Sequence, residues 1–140
     1  MFRTIVGAVI ILLLSVAIGR ADTITLTVDT RTQHGTLFAA LYNSEEAFDA
    51  RTPLQTAAEP ALETGTEITF RNLAPGEYGV AIFHDQNGNE DLDVNLFGAP
   101  REPYGFSQNP PIFFSAPNFK RFAFAFEGRP LHLSVMLNQP

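Results

Sequence analysis

The sequence predicts an all-β fold, an antiparallel β-sandwich of about seven strands. Three observations carry this. Apolar and polar residues alternate with period two along most of the chain, turn residues separate the alternating runs, and no strong helical segment interrupts them. The chain has 140 residues and no cysteine, so one domain must hold its core without disulfides or thiolate metal sites.

The first segment, 1–21, reads as a secretory signal peptide. Arg3 supplies the positive start, Ile5 to Ile18 form the apolar run, and Gly19-Arg20-Ala21 places small residues three and one before a cut ahead of Asp22. That run of 14 residues falls short of the ~20 that span a bilayer. No cysteine follows it, which excludes a lipoprotein anchor. The expected organisation is therefore a signal peptide over 1–21 and a single sandwich domain over 22–140, with a periplasmic or secreted product and no integral membrane anchor after cleavage. The domain keeps seven Lys and Arg against 15 Asp and Glu, a net charge of −8. That sign opposes nucleic-acid binding, which neutralises phosphates with basic side chains.

Ile24, Leu26 and Val28 alternate with threonines and predict the first strand. Gly35 opens a second run, Thr36 to Tyr42. Ser44 to Ala50 reads as one helical turn, with Ser44 as N-cap and Glu45 and Glu46 in its first turn. Ala57 to Leu62 is apolar but split by Pro60, and reads as a loop. Thr66 to Arg71 puts Ile68 and Phe70 on one face. A type II turn is expected at Pro75-Gly76, with Gly76 at positive φ. Glu77 to His84 then places Tyr78, Val80 and Ile82 on one face and Gly79, Ala81 and Phe83 on the other. Phe122, Phe124 and Phe126 share a face, and after Gly128-Arg129-Pro130 the alternation resumes from Leu131 to Leu137. The Leu-x-Pro-Gly-x-Tyr element resembles the corner of transthyretin-like and carboxypeptidase-regulatory-like sandwiches, where an aromatic two residues after the glycine packs inward.

The most chemically loaded stretch follows His84. Asp85, Asn87, Asn89, Asp91 and Asp93 place oxygen-bearing side chains at alternate positions. Calcium takes 6–8 oxygen ligands in flexible geometry, and Gly88 eases the bend such a loop needs. Against the EF-hand pattern, Asp85, Asn87 and Asn89 fall on positions 1, 3 and 5. Position 6 is Glu90 instead of Gly, and position 12 is Leu96 instead of a bidentate Glu. One reading is a low-affinity calcium loop carried by a β-protein. The other is a polar turn closed by its own Asx hydrogen bonds.

From Leu96 to Asn118 the alternation stops. Five prolines punctuate the segment, and Phe97, Tyr104, Phe106, Phe113 and Phe114 fill it. Disordered segments are poor in aromatics, so these rings either cap an open end of the sandwich or form a ligand or partner surface.

Two clusters carry a family resemblance. The first is Gly76-x-Tyr78-x-Val80-Ala81, then His84-Asp85-x-Asn87-Gly88-Asn89-x-x-Leu92-Asp93. The second is Asn95-x-x-Gly98-x-Pro100-x-Glu102-x-x-Gly105-Phe106-Ser107. With the Ala40-Leu41-Tyr42 strand and Pro111-x-Phe113, the chain resembles the bacterial domain-of-unknown-function family 2141 from about Ile24 to Leu137. The resemblance implies a small exported bacterial protein of unestablished activity, with no catalytic role to carry over. Family members usually have Gly where this chain has Glu90. Glu102 is expected either to bond neighbouring backbone N–H groups or Arg101's strand partner, or to complete the ion shell that Leu96 leaves open.

No catalytic constellation is recognisable. His34, His84 and His132 are scattered, Ser107 and Ser115 lie in no nucleophile elbow, and exposed turn aspartates are expected to titrate ordinarily. Two functional readings follow. The first is an exported, non-catalytic binding or adaptor module for an envelope or extracellular sugar, peptide or protein. Its candidate surface is His84, Glu102, Tyr104 and Phe106, with calcium as the only candidate cofactor. The alternative is a hydrolase-like envelope enzyme using His84 and the acidic loop. The surroundings of the His84 side chain separate the two.

Overall fold

The computed structural model describes residues 22–140, so the expected signal peptide lies outside the described residues. Eight short strands form two sheets: β1 (Ile24–Val28), β2 (Thr36–Tyr42), β3 (Gln55–Pro60), β4 (Thr66–Phe70), β5 (Gly76–Asp85), β6 (Tyr104–Phe106), β7 (Phe124–Phe126) and β8 (Leu131–Val135). One helix, α1 (Glu45–Asp49), follows β2. Ser44 caps it as expected, its hydroxyl accepting from the Ala47 N–H at 3.1 Å. The smaller sheet has the order β4-β1-β8, and the larger runs β3-β2-β5-β6 with β7 also on β5. All pairings are antiparallel except β1 with β8, which run parallel. The sandwich is therefore mixed at that one pair.

The inner faces meet in a continuous core. Ile24, Leu26 and Val28 pack with Ile68, Phe70 and Val135 from the small sheet. Leu37, Leu41, Tyr78, Val80, Phe124 and Phe126 face them from the large one. The outer face of the small sheet is polar: Thr25 opposes Thr69, with their hydroxyl oxygens 3.1 Å apart.

Local chemistry shifts three expectations. Gln55–Pro60 is a strand, not a loop, because it lies at a sheet edge. There the missing N–H of Pro60, the terminal residue, is tolerated. The turn before β5 places Asn72, not Gly76, in the left-handed region, at φ 58°. Asn adopts that region readily, and this leaves Gly76 free to pair with Phe126 as the first residue of β5. Tyr78 does pack inward, and its hydroxyl donates to the Ala74 carbonyl at 2.7 Å. Finally, Phe122 does not share the face of Phe124 and Phe126. The chain passes through a 3-10 turn, Phe119–Arg121, and at Phe122 the backbone (φ −123°, ψ 0°) is not extended. The alternation is broken there, and the ring crosses to the outer face of the large sheet.

On that outer face Phe106, Phe119 and Phe122 form a second core with Tyr42, and α1 contributes Phe48. Phe48 meets Tyr42 and Phe122 edge-on at 5.2 and 4.9 Å. The proline-rich segment thus divides. Of its five rings, Tyr104 and Phe106 fold back, onto the outer face of the large sheet rather than over an open end of the sandwich, while Phe97, Phe113 and Phe114 stay exposed.

Two residues lock this layer to β5. Strands β6 and β7 occupy successive stretches of β5, at Ala81–Phe83 and Gly76–Tyr78, and leave Gly79 and Val80 between them. Ser107 fills the gap. Its hydroxyl accepts from the Val80 N–H at 3.0 Å and donates to the Phe122 carbonyl at 2.6 Å, while its own N–H donates to the Val80 carbonyl at 2.9 Å. Gly79 lies beneath the rings, and a Cβ there would stand 2.6 Å from the Phe122 ring and 2.9 Å from that of Phe119. Ser107→Ala is expected to orphan a buried N–H and cost about 1–3 kcal/mol. Gly79→Ala is expected to cost about 1–3 kcal/mol by overpacking. Urea unfolding checks both, and a loss below about 0.5 kcal/mol in each would contradict a packed outer layer.

Candidate functional site

The outer face of the large sheet is apolar where a solvated antiparallel face should be polar. Its residues fall in two rows across four strands. Ala58, Phe38, Phe83 and Tyr104 are successive cross-strand partners, and so are Thr56, Ala40, Ala81 and Phe106. Phe38 and Phe83 stack with centroids 5.3 Å apart. The alanine row is low beside the aromatic one, and the aromatic cap reaches only the Tyr42–Phe106 end. What remains is an open groove of about 450 Å³, lined by Phe38, Phe83, Tyr42, Tyr104, Phe106 and Leu92 over an alanine floor. That volume falls within the ~300–1,000 Å³ of small-molecule sites.

Of the expected ligand surface, Tyr104 and Phe106 line this groove, whereas His84 and Glu102 do not. His84 is buried on the inner face at the end of β5, and its Nε2 lies 2.6 Å from the His34 carbonyl. A carbonyl only accepts, so Nε2 carries the proton. Its backbone N–H donates to Pro103. Gly35, at φ 84°, presses against this end of the strand so closely that a Cβ would meet the Asp85 carbonyl at 2.2 Å. His84 is thus sealed by the chain turn above it. It bonds backbone rather than the acidic loop.

The acidic loop is built on two buried carboxylates. Asp85 accepts from the N–H groups of Gly88 at 2.8 Å and Glu90 at 2.9 Å. Burial alone would raise its pKa, but the backbone N–H groups of Glu90, Gly88, Asn89 and Asn87 outweigh it, and the net shift is downward. Asp85 is therefore neither exposed nor ordinary in its titration, contrary to expectation. Glu102 takes the first of its two expected roles. It accepts from the Gln86 N–H at 2.9 Å and the Asp93 N–H at 3.3 Å, fastening both ends of the loop to the segment before β6.

Within the loop, the side-chain amides of Asn87 and Asn89 both donate to Asp93. The Asn87 carbonyl oxygen accepts from the Asn89 N–H, and that of Asn89 from the Asp91 N–H, as Asx turns do. The structure therefore gathers Asn87, Asn89 and Asp93, directs Asp85 inward to the backbone, and leaves Asp91 exposed. Among the described residues no three His, Asp or Glu side chains converge on one point. Glu90 stands at φ 64°, a left-handed position that favours Gly, which accounts for the Gly that the family resemblance leads one to expect there.

The sequence reading missed Phe38, Ala40, Ala58, Ala81, Phe83 and Leu92. A signal was present: Leu37 to Tyr42 and Tyr78 to Phe83 are apolar or glycine throughout, as strands covered on both faces are.

Two face-to-face sheets, one outer face polar and the other apolar and part-covered, define a small all-β sandwich protein. The chain belongs to the family described as uncharacterized protein conserved in bacteria (DUF2141), whose model matches residues 27–134. This match runs from β1 to β8 and includes the groove and the acidic loop. No curated protein and no solved structure matches the chain.

The lowered pKa of Asp85 has a pH consequence. A depressed folded pKa adds stability that is full above the unfolded value of about 3.8 and is lost as pH falls through the lower folded value. Asp85→Asn is therefore expected to be less stable than wild type at pH 7, with the gap closing below pH 3.8. Urea midpoints across pH 2–7 check this, and a gap independent of pH would contradict it.

Proposed function

We propose that the protein is an exported, non-catalytic binding module whose outer-face groove takes a small, mainly apolar ligand. The observation that carries this reading is the uncovered apolar strip on the large sheet. Apolar surface on a solvated sheet is unfavourable at roughly 25 cal/mol per Å² unless something covers it. The aromatic cap covers one end, and a ligand is the natural cover for the other. Thr56 and the tyrosine hydroxyls are the polar side-chain groups in the lining, which suits an apolar molecule better than a sugar, whose hydroxyls would be left unpaired. Export rests on the N-terminal segment alone. The burial of His84 speaks for the binding reading over the enzymatic one, because a general base must reach its substrate.

Ala58 is exposed on the edge strand β3, so a bulky residue there fills the groove without disturbing either core. N-Phenyl-1-naphthylamine, a neutral three-ring aromatic probe, is expected to bind with micromolar affinity. Ala58→Trp is expected to weaken it at least tenfold with the melting temperature unchanged. Absence of saturable fluorescence enhancement in wild type would overturn the reading.

Calcium is proposed as an accessory ligand of the acidic loop, supported by the convergence of Asn87, Asn89 and Asp93. Both amides must then give up Asp93 and turn their oxygens to the ion, so affinity falls toward the ~10⁻⁴–10⁻³ M range of extracellular modules. At 10 mM calcium this corresponds to about 1.4–2.7 kcal/mol of added stability. A rise in melting temperature that Asp93→Asn abolishes is the expected result, and no rise at 10 mM would exclude the site.

A further inference from the structure

The groove lining carries no charged side chain, but its surroundings do: the Arg51 guanidinium acts on the Tyr42 hydroxyl, and the acidic loop adjoins the groove at Leu92. Leu92, which lines one end, belongs to the acidic loop and stands between Asp91 and Asp93. From Asp85 to Glu102 the chain carries Asp85, Glu90, Asp91, Asp93 and Glu102 against Arg101 alone, a local charge of −4. The Asp85 and Glu102 carboxylates are held by backbone N–H groups. Glu90 and Asp91 are exposed, and their side chains anchor none of the loop's hydrogen bonds described above. Low-dielectric walls beside charges of one sign focus the field into a cleft.

We propose that the groove selects an apolar cation, a compact hydrocarbon or aromatic body bearing one positive charge. Its body rests on the Ala40–Ala81 floor beside the Phe38–Phe83 stack, and its charged end emerges past Leu92 toward Asp91. The inference rests on the groove being a ligand site and specifies which ligand it prefers. An anion of the same size meets the same apolar lining, and beside Leu92 it is opposed by the same field. The preference is bounded by solvent: charges about 7 Å apart in water interact by well under 1 kcal/mol each, so several together give about a threefold to tenfold effect at low salt.

The test uses three naphthalenes of matched size: 2-naphthylmethylammonium, 2-naphthylmethanol and 2-naphthoate. Calorimetric affinities are measured at 10 and 500 mM sodium chloride. The expected order is cation over alcohol over carboxylate. The cation-to-alcohol ratio should be about threefold to tenfold at low salt and fall toward one at high salt. The double variant Glu90→Gln, Asp91→Asn should lower that ratio while leaving alcohol binding unchanged. Equal binding of cation and alcohol at low salt, or a ratio that survives the double variant, overturns the preference and leaves the groove as a neutral site. If none of the three binds, or if Ala58→Trp leaves all three affinities unchanged, the groove reading itself fails and the preference with it.

Discussion

Strand β5 carries apolar residues or glycine at each position from Tyr78 to Phe83, and both of its faces are occupied as a result. Its inner face closes the sandwich, and its outer face seats the aromatic layer and the floor of the groove. On its edges it pairs β2, β6 and β7. Removing the side chain at position 79 is what lets the rings of Phe119 and Phe122 come down onto the backbone. The hydroxyl of Ser107 then satisfies the one stretch of edge that neither β6 nor β7 reaches. The rest of the molecule depends on that doubly covered strand.

The acidic loop follows from where β5 ends. Asp85 and Glu102 take backbone N–H groups from both sides of the loop and fix its course, while Glu90 and Asp91 face solvent. A carboxylate that accepts several N–H bonds is stabilised in its charged form even when buried. Leu92 is the point where the loop and the groove meet. In the complex we propose, an apolar slot beside a charged loop would give orientation as well as affinity, because each end of the ligand would meet a different environment.

The two outer faces show how differently the sheets treat solvent. Threonines cover the small sheet and hydrogen-bond across it, as Thr25 and Thr69 do. The large sheet instead carries phenylalanine and alanine, half covered by α1 and the segment after β6. The same long connection leaves Phe97, Phe113 and Phe114 in solvent. Its sequence marks all these rings alike, and only their distance from β5 decides which are buried.

The sequence by itself determined the fold class, most strand positions, the Ser44 cap, the family and the concentration of acid after His84. These are local or periodic signals: alternation in strands, a capping residue, a dense motif. Tertiary structure alone decided that Gln55–Pro60 is an edge strand, that Phe122 leaves the face of Phe124, and that β1 and β8 run parallel. Each depends on a partner distant in the chain. It also decided that His84 and Glu102 are buried ties while Phe38 and Phe83 flank a groove. Residue type cannot separate these roles, because a site on a sheet is made by side chains from four strands in register, and register is fixed by the packing of the whole.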